Sequence, residues 1–254
     1  MDLGLTNKIA LVTGAAHGLG SAICRALAAE GARVAINYHR QAEPAEAVAA
    51  EIRDRFGVDA MIVPGDVVQR ADVRAMFDRI QEYFAAPADV LVNNAAVCPT
   101  AWVKDMADEE WSKTLAVNLT GAFLTSREFV GRLLAAGRPG RIVNVSSQAA
   151  FRGSTTGHAP YDASKGGLVS FTLALAKEVA RHGIAVNAVA PGMMLTEMTA
   201  ATLEANLPKY LARIPLKRLG DPREIAEMIV FLASERASYM TGATVDVSGG
   251  MLMR

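Results

Sequence analysis

At 254 residues, of which 51% are apolar, the chain is long enough to bury one sizeable core. Its 26 Lys and Arg balance 26 Asp and Glu, with no basic stripe or acidic tail, so neither nucleic acid nor a membrane surface is an expected partner. Cys24 and Cys98 lie far apart and near no histidine cluster, no leader pattern opens the chain, and no apolar run approaches the roughly 18 residues that span a bilayer; free thiols, no metal and a soluble cytoplasmic protein are expected.

From the N-terminus, β-rich runs alternate with helical patterns. Ile9–Thr13 reads as a buried strand and Leu19–Glu30 as a helix ending at Gly31. Val34–Tyr38 is a second strand, followed by a helix that starts near Pro44, a favourable first-turn residue. Ala60–Val63 is a third strand, Ala71–Phe84 a helix and Val90–Asn93 a fourth strand. A helical stretch runs from Glu109 roughly to Ala136, and Arg141–Val145 is a fifth strand. A helical pattern covers Gly166–Ala180, Ile184–Val189 is a sixth strand, Pro222–Ala233 a helix and Thr244–Val247 a last strand. Strands apolar on both faces, alternating with helices, predict one doubly wound α/β domain over residues 1–254, its parallel seven-stranded sheet covered on both faces.

Ligands of such sheets lie beyond the carboxyl ends of the strands, so the strand ends hold the candidate site. After the first strand come Thr13, Gly14, His17, Gly18, Leu19 and Gly20, where glycines let a pyrophosphate approach a helix N-terminus. The second strand ends in Asn37, Tyr38, His39 and Arg40, with no carboxylate for the ribose 2′-hydroxyl of NAD and with a cation for a 2′-phosphate. Asp66 and Val67 follow the third strand, where a carboxylate can accept from an adenine amino group. Asn94 and Ala95 follow the fourth, and Ser146 and Ser147 end the fifth. Asn118 is a poor helix former inside a helical pattern, which invites a local distortion. Tyr161 and Lys165 stand one helical turn apart, and an ammonium at that spacing lowers the phenol pKa, allowing proton transfer near neutral pH.

In order and on their expected elements, TGAAHGLG, NNAA, the Asn118 helix, Ser147, YDASK, APGMMLT and MTGATVDVSGG resemble the short-chain dehydrogenase/reductases over nearly the whole chain. The C-terminal pattern is similar to the branch of 3-oxoacyl-acyl-carrier-protein reductases and glucose dehydrogenases. The resemblance implies a Rossmann-type fold and hydride transfer between a nicotinamide cofactor and a carbonyl/alcohol pair. Tyr161 would be general acid/base, Lys165 its pKa-lowering neighbour and ribose ligand, Ser147 the carbonyl-polarising hydroxyl, and Asn118 the holder of a relay water. Pro191, Gly192, Met194 and Thr196 would cover the nicotinamide. A homotetramer is also implied, with a dimer as the alternative.

Three positions depart from the pattern: Ala96 replaces the usual Gly, His17 the usual Arg, Lys or Ser, and the Ser147–Tyr161 interval, which carries His158, is one residue longer. The expected cofactor is NADP(H), with NAD(H) as second choice, and the expected substrate a small carbonyl or alcohol, on an acyl carrier protein in the leading reading. Arg138, Arg181 and His182 are candidate carrier contacts. Leu195–Arg213 is predicted to be a lid, with Met198, Leu203, Leu207, Tyr210 and Leu211 on one apolar helical face. The alternatives are a sugar or polyol dehydrogenase and a non-catalytic dinucleotide-binding redox sensor; an intact Ser147, Tyr161, Lys165 and Asn118 speaks against the sensor.

Overall fold

The structure is a computed structural model that describes residues 2–195 and 206–253; Thr196, Met198 and Leu203 lie outside the described residues. The strands are β1 (Ile9–Val12), β2 (Arg33–Tyr38), β3 (Ala60–Pro64), β4 (Val90–Asn93), β5 (Gly140–Val145), β6 (Ile184–Pro191) and β7 (Thr244–Val247). All pair in parallel, in the order β3-β2-β1-β4-β5-β6-β7. The expected doubly wound sheet is therefore observed.

Alternation along each strand divides the core in two. Ala10 and Val12 of β1 face a cluster built with α1 (Gly18–Ala29), α2 (Ala42–Phe56) and α9 (Pro222–Ala233). Ile9 and Leu11 face the opposite cluster, built with α3 (Arg70–Phe84), α5 (Gly121–Ala136) and α7 (Ala159–Val179). A buried amide ladder ties that second layer to the sheet. Asn93 donates to Asn144 (2.8 Å) and Ser126 (3.0 Å) and accepts from Thr125 (2.6 Å), while Asn144 donates to Thr172 of α7 (2.9 Å).

The helical stretch expected from Glu109 to Ala136 is divided in three. Helix α4 (Asp108–Leu115) passes into a π turn at Ala116–Thr120 before α5 begins, and Asn118 sits in the turn. One helix lies where apolar periodicity is absent, the four-residue α6 (Ala149–Arg152); α8, described over residues 206–213, falls where an apolar helical face is expected from Leu207, Tyr210 and Leu211. Helix α7 starts at Ala159, so Tyr161 lies in its first turn behind Pro160.

Candidate active site

The strand order reverses between β1 and β4, and a cleft of about 950 Å³ opens beyond their carboxyl ends. That is the upper end of the roughly 300–1,000 Å³ usual for small-molecule sites, as an elongated ligand requires. One wall is the β1–α1 turn. Its main chain is fixed by Asn37, which accepts from Gly14 N–H (3.1 Å), and by Asn94, which donates to the carbonyls of Thr13 (2.9 Å) and Gly14 (3.0 Å). Gly14 and Gly18 hold positive φ (60° and 52°), and a Cβ at Gly20 would meet the Gly14 carbonyl oxygen at 2.5 Å. Helix α1 follows with no side-chain cap and no acidic residue in its first turn. An uncapped helix start, reached by main chain that only glycine permits, fits a pyrophosphate.

His17, Gly18, Leu19, Gly20, His39, Arg40, Asp66 and Val67 all line this half of the cleft. Arg40 is exposed, and His39 Nε2 stands 3.5 Å from Asp66. Tyr38 does not line the cleft: its ring packs against the core beside α1 and α2, because strand alternation turns Asn37 toward Gly14 and Tyr38 the other way. Asn94, Ala95 and Ala96 line the floor, with the N–H groups of Asn94 and Ala95 both donating to Thr13 Oγ1 (3.0 and 3.1 Å). Pro191, Gly192 and Met194 line the far wall. Gly192 is held to Val247 (3.0 Å) so closely to β7 that a Cβ would lie 2.6 Å from Ser248 Cα. Thr196 lies outside the described residues.

Ser147, Tyr161 and Lys165 meet in the β5–β6 half. Ser146, the alternative serine, is buried and donates to the Lys165 carbonyl (3.0 Å), whereas the half-buried Ser147 hydroxyl hydrogen-bonds Tyr161. Lys165 is fully buried; its Nζ donates to the Val145 carbonyl (2.6 Å) and lies 5.6 Å from the centre of the Tyr161 ring. Burial lowers its pKa from 10.5 to about 8. The expected lowering of the Tyr161 pKa is not seen in the protein by itself. Burial pushes the phenol up, Cys98 and Asp162 add to that, and only the Ser147 hydrogen bond opposes it. Desolvation is the largest contribution.

Asn118 is buried at the base of the site. Its Oδ1 accepts from Val97 N–H (2.8 Å), and its Nδ2 donates to Val97 O (2.9 Å) and Ser164 Oγ (3.0 Å). It therefore clamps the loop after β4 against α7. Sequence reasoning does not single out Cys98, Lys113, Arg213 or Met251 as site residues, although all line the cleft. Cys98 Sγ lies 3.7 Å from His158 Nδ1, which donates to the Pro99 carbonyl (3.0 Å), and burial raises the thiol pKa to about 11. Proximity in the fold, not in sequence, gathers these four.

A doubly wound sheet with a phosphate cradle at its switch point and a Ser–Tyr–Lys group beside it defines a dinucleotide-dependent oxidoreductase. The family model described as Enoyl-(Acyl carrier protein) reductase matches residues 14–252. A 3-oxoacyl-[acyl-carrier-protein] reductase of Aquifex aeolicus is 41% identical over 99% of this chain and 100% of its own length. A short-chain type dehydrogenase/reductase from Mycobacterium marinum superposes with a TM-score of 0.95 at 32% identity, covering 100% of this chain and 98% of its own. A variant of actinorhodin polyketide ketoreductase, solved with NADPH, gives a TM-score of 0.90 at 36% identity, with 98% of each chain covered. The chain belongs to the short-chain dehydrogenase/reductase family, and is an oxidoreductase acting on carbonyl and alcohol groups.

Proposed function

We propose that the chain reduces 3-oxoacyl groups with NADP(H), Tyr161 serving as general acid. The observation that carries this reading is the joined pair of hydroxyls, Ser147 and Tyr161, facing a cleft whose other half cradles phosphate. Two hydroxyls so placed can both donate to one carbonyl oxygen. Bound NADPH supplies the hydride. Tyr161 gives its proton to the carbonyl oxygen, and a phenol held protonated by burial suits the reducing direction. Ser147 orients that oxygen, and Lys165 holds ribose hydroxyls, its charge then favouring the phenolate left behind. Both N–H groups of the Asn118 amide are spent on Val97 and Ser164, so a relay water falls to the main chain of the π turn.

Arg40 and His17 at the nucleotide end, with no carboxylate on the β2 tip, favour NADP(H) over NAD(H). The Aquifex relative and one from Synechocystis act by name on acyl carrier protein substrates, and an acyl carrier is the proposed bearer of the substrate, in the cytoplasm. The candidate carrier contacts Arg138, Arg181 and His182 do not serve: each precedes a parallel strand, β5 or β6, and so lies at the end of the sheet opposite the cleft, and Arg138 donates to Asp89. Initial rates with NADPH and NADH on a 3-oxoacyl thioester and a 2-enoyl thioester, and with NADP+ and NAD+ on an aldose, test the reading. The 3-oxoacyl thioester with NADPH is expected to be fastest; faster turnover of the enoyl thioester or the sugar refutes it.

A further inference from the structure

The half-buried arginines of the described residues are nearly all engaged. Arg25 donates to Glu51, Arg33 to the Asn7 carbonyl, Arg132 to Glu128, Arg138 to Asp89 and Arg141 to the Gly140 carbonyl. Arg213 is the exception: half-buried on α8, it lines the cleft and has no hydrogen-bond or ion-pair partner among the described residues. A partly desolvated guanidinium without a counter-charge is unfavourable unless a ligand supplies one. The cleft offers none, since Asp66 is the single carboxylate among its described lining residues, follows a strand on the nucleotide side and faces His39. Asp162, next to Tyr161, is bound by Ser154 N–H and Oγ.

Place in the fold separates Arg213 from the cofactor's phosphates. It follows β6, on the side of the sheet that carries Ser147, and its neighbours are anchored there: Ile214 packs beside Gly249, and Leu216 N–H donates to the Gly249 carbonyl (3.2 Å). Arg40 and the α1 turn lie toward the other edge.

We propose that Arg213 binds an anionic group of the substrate, so that the preferred substrate is a ketone carrying a carboxylate or a phosphate away from the reacting carbonyl. This rests on the carbonyl-reductase reading and names its substrate class. The test uses matched pairs with NADPH: acetoacetate against methyl acetoacetate, and acetoacetyl-coenzyme A against S-acetoacetyl-N-acetylcysteamine. Arg213→Gln is expected to lower kcat/KM for the anionic member of one pair by roughly ten- to a hundredfold, the effect of losing a charged hydrogen bond, and to spare its neutral member. Arg213→Lys should retain part of the preference. The responding pair tells a carboxylate from a carrier-arm phosphate. Equal loss on both members, a raised KM for NADPH alone, or no change overturns the proposal. Calorimetric titration of acetoacetate and of coenzyme A into wild type and Arg213→Gln reads the same contact without turnover. If no ketone is reduced, the reductase reading fails while the titration still decides, and absence of Arg213-dependent binding of either anion overturns the proposal.

Discussion

Lys165 gives the protein, measured without cofactor, a distinctive pH response. Its folded pKa of about 8 lies below its ordinary 10.5, so between those values the unfolded chain holds a proton that the folded chain has released. Stability therefore gains a contribution as pH rises from about 8. Tyr161 acts the other way above its ordinary value of 10, because its folded pKa is raised and the folded chain keeps a proton that the unfolded one loses. Urea midpoints should climb between about pH 8 and 10 in wild type and stay flat by comparison in Lys165→Met. Parallel curves would show that the lysine is not depressed. At the nucleotide end, Arg40→Ala should reduce kcat/KM for NADPH about tenfold relative to NADH, the low end for a charged contact because Arg40 is exposed. An unchanged ratio would remove Arg40 from cofactor choice. Tyr38 carries no such expectation, since its ring packs against the core and does not line the cleft.

At the scale of elements, the Asn93–Asn144–Thr172 ladder holds α5 and α7 to the sheet and thereby sets where Tyr161 stands. Asn93→Ala leaves its buried partners Asn144, Ser126 and Thr125 each short of a bond and should cost about 2–4 kcal/mol in denaturant titration. A loss under about 0.5 kcal/mol would mean that water replaces the amide. The seven strands are readable because each is a short, mostly apolar run, broken by single polar residues such as Asn37, Asn144, Asn187 and Asp246. The π turn is foreshadowed by Asn118, a residue that an unbroken helix disfavours. Residues 149–158 have no apolar periodicity, so α6 is not legible, whereas Tyr161 and Lys165 one turn apart already place the start of α7 near Tyr161. The proposed catalytic group is recognisable from Tyr161 and Lys165 in helical register. The protonation of that group is not, because desolvation depends on what packs around it.

At the scale of the molecule, several large apolar side chains on the α4–α5–α7 face remain exposed: Trp111 (41%), Phe123 (42%) and Leu173 (47%). Tyr239, ahead of β7, is fully exposed as well. Such surfaces on two sides favour a two-fold pairing through the helices and a second through β7, the arrangement of a D2 tetramer. Light scattering at micromolar concentration should give a tetramer, or a dimer if only the helical face pairs; a monomer would contradict it. Among the described residues no helix is long and apolar enough to cross a membrane.

In the proposed reaction Tyr161 transfers the proton that accompanies hydride transfer. Tyr161→Phe keeps the ring and removes the hydroxyl, so kcat with NADPH and a 3-oxoacyl thioester should fall by roughly 10²–10⁴-fold, while NADPH binding, measured by fluorescence, should stay close to wild type. Turnover near the wild-type rate in that variant would contradict the account.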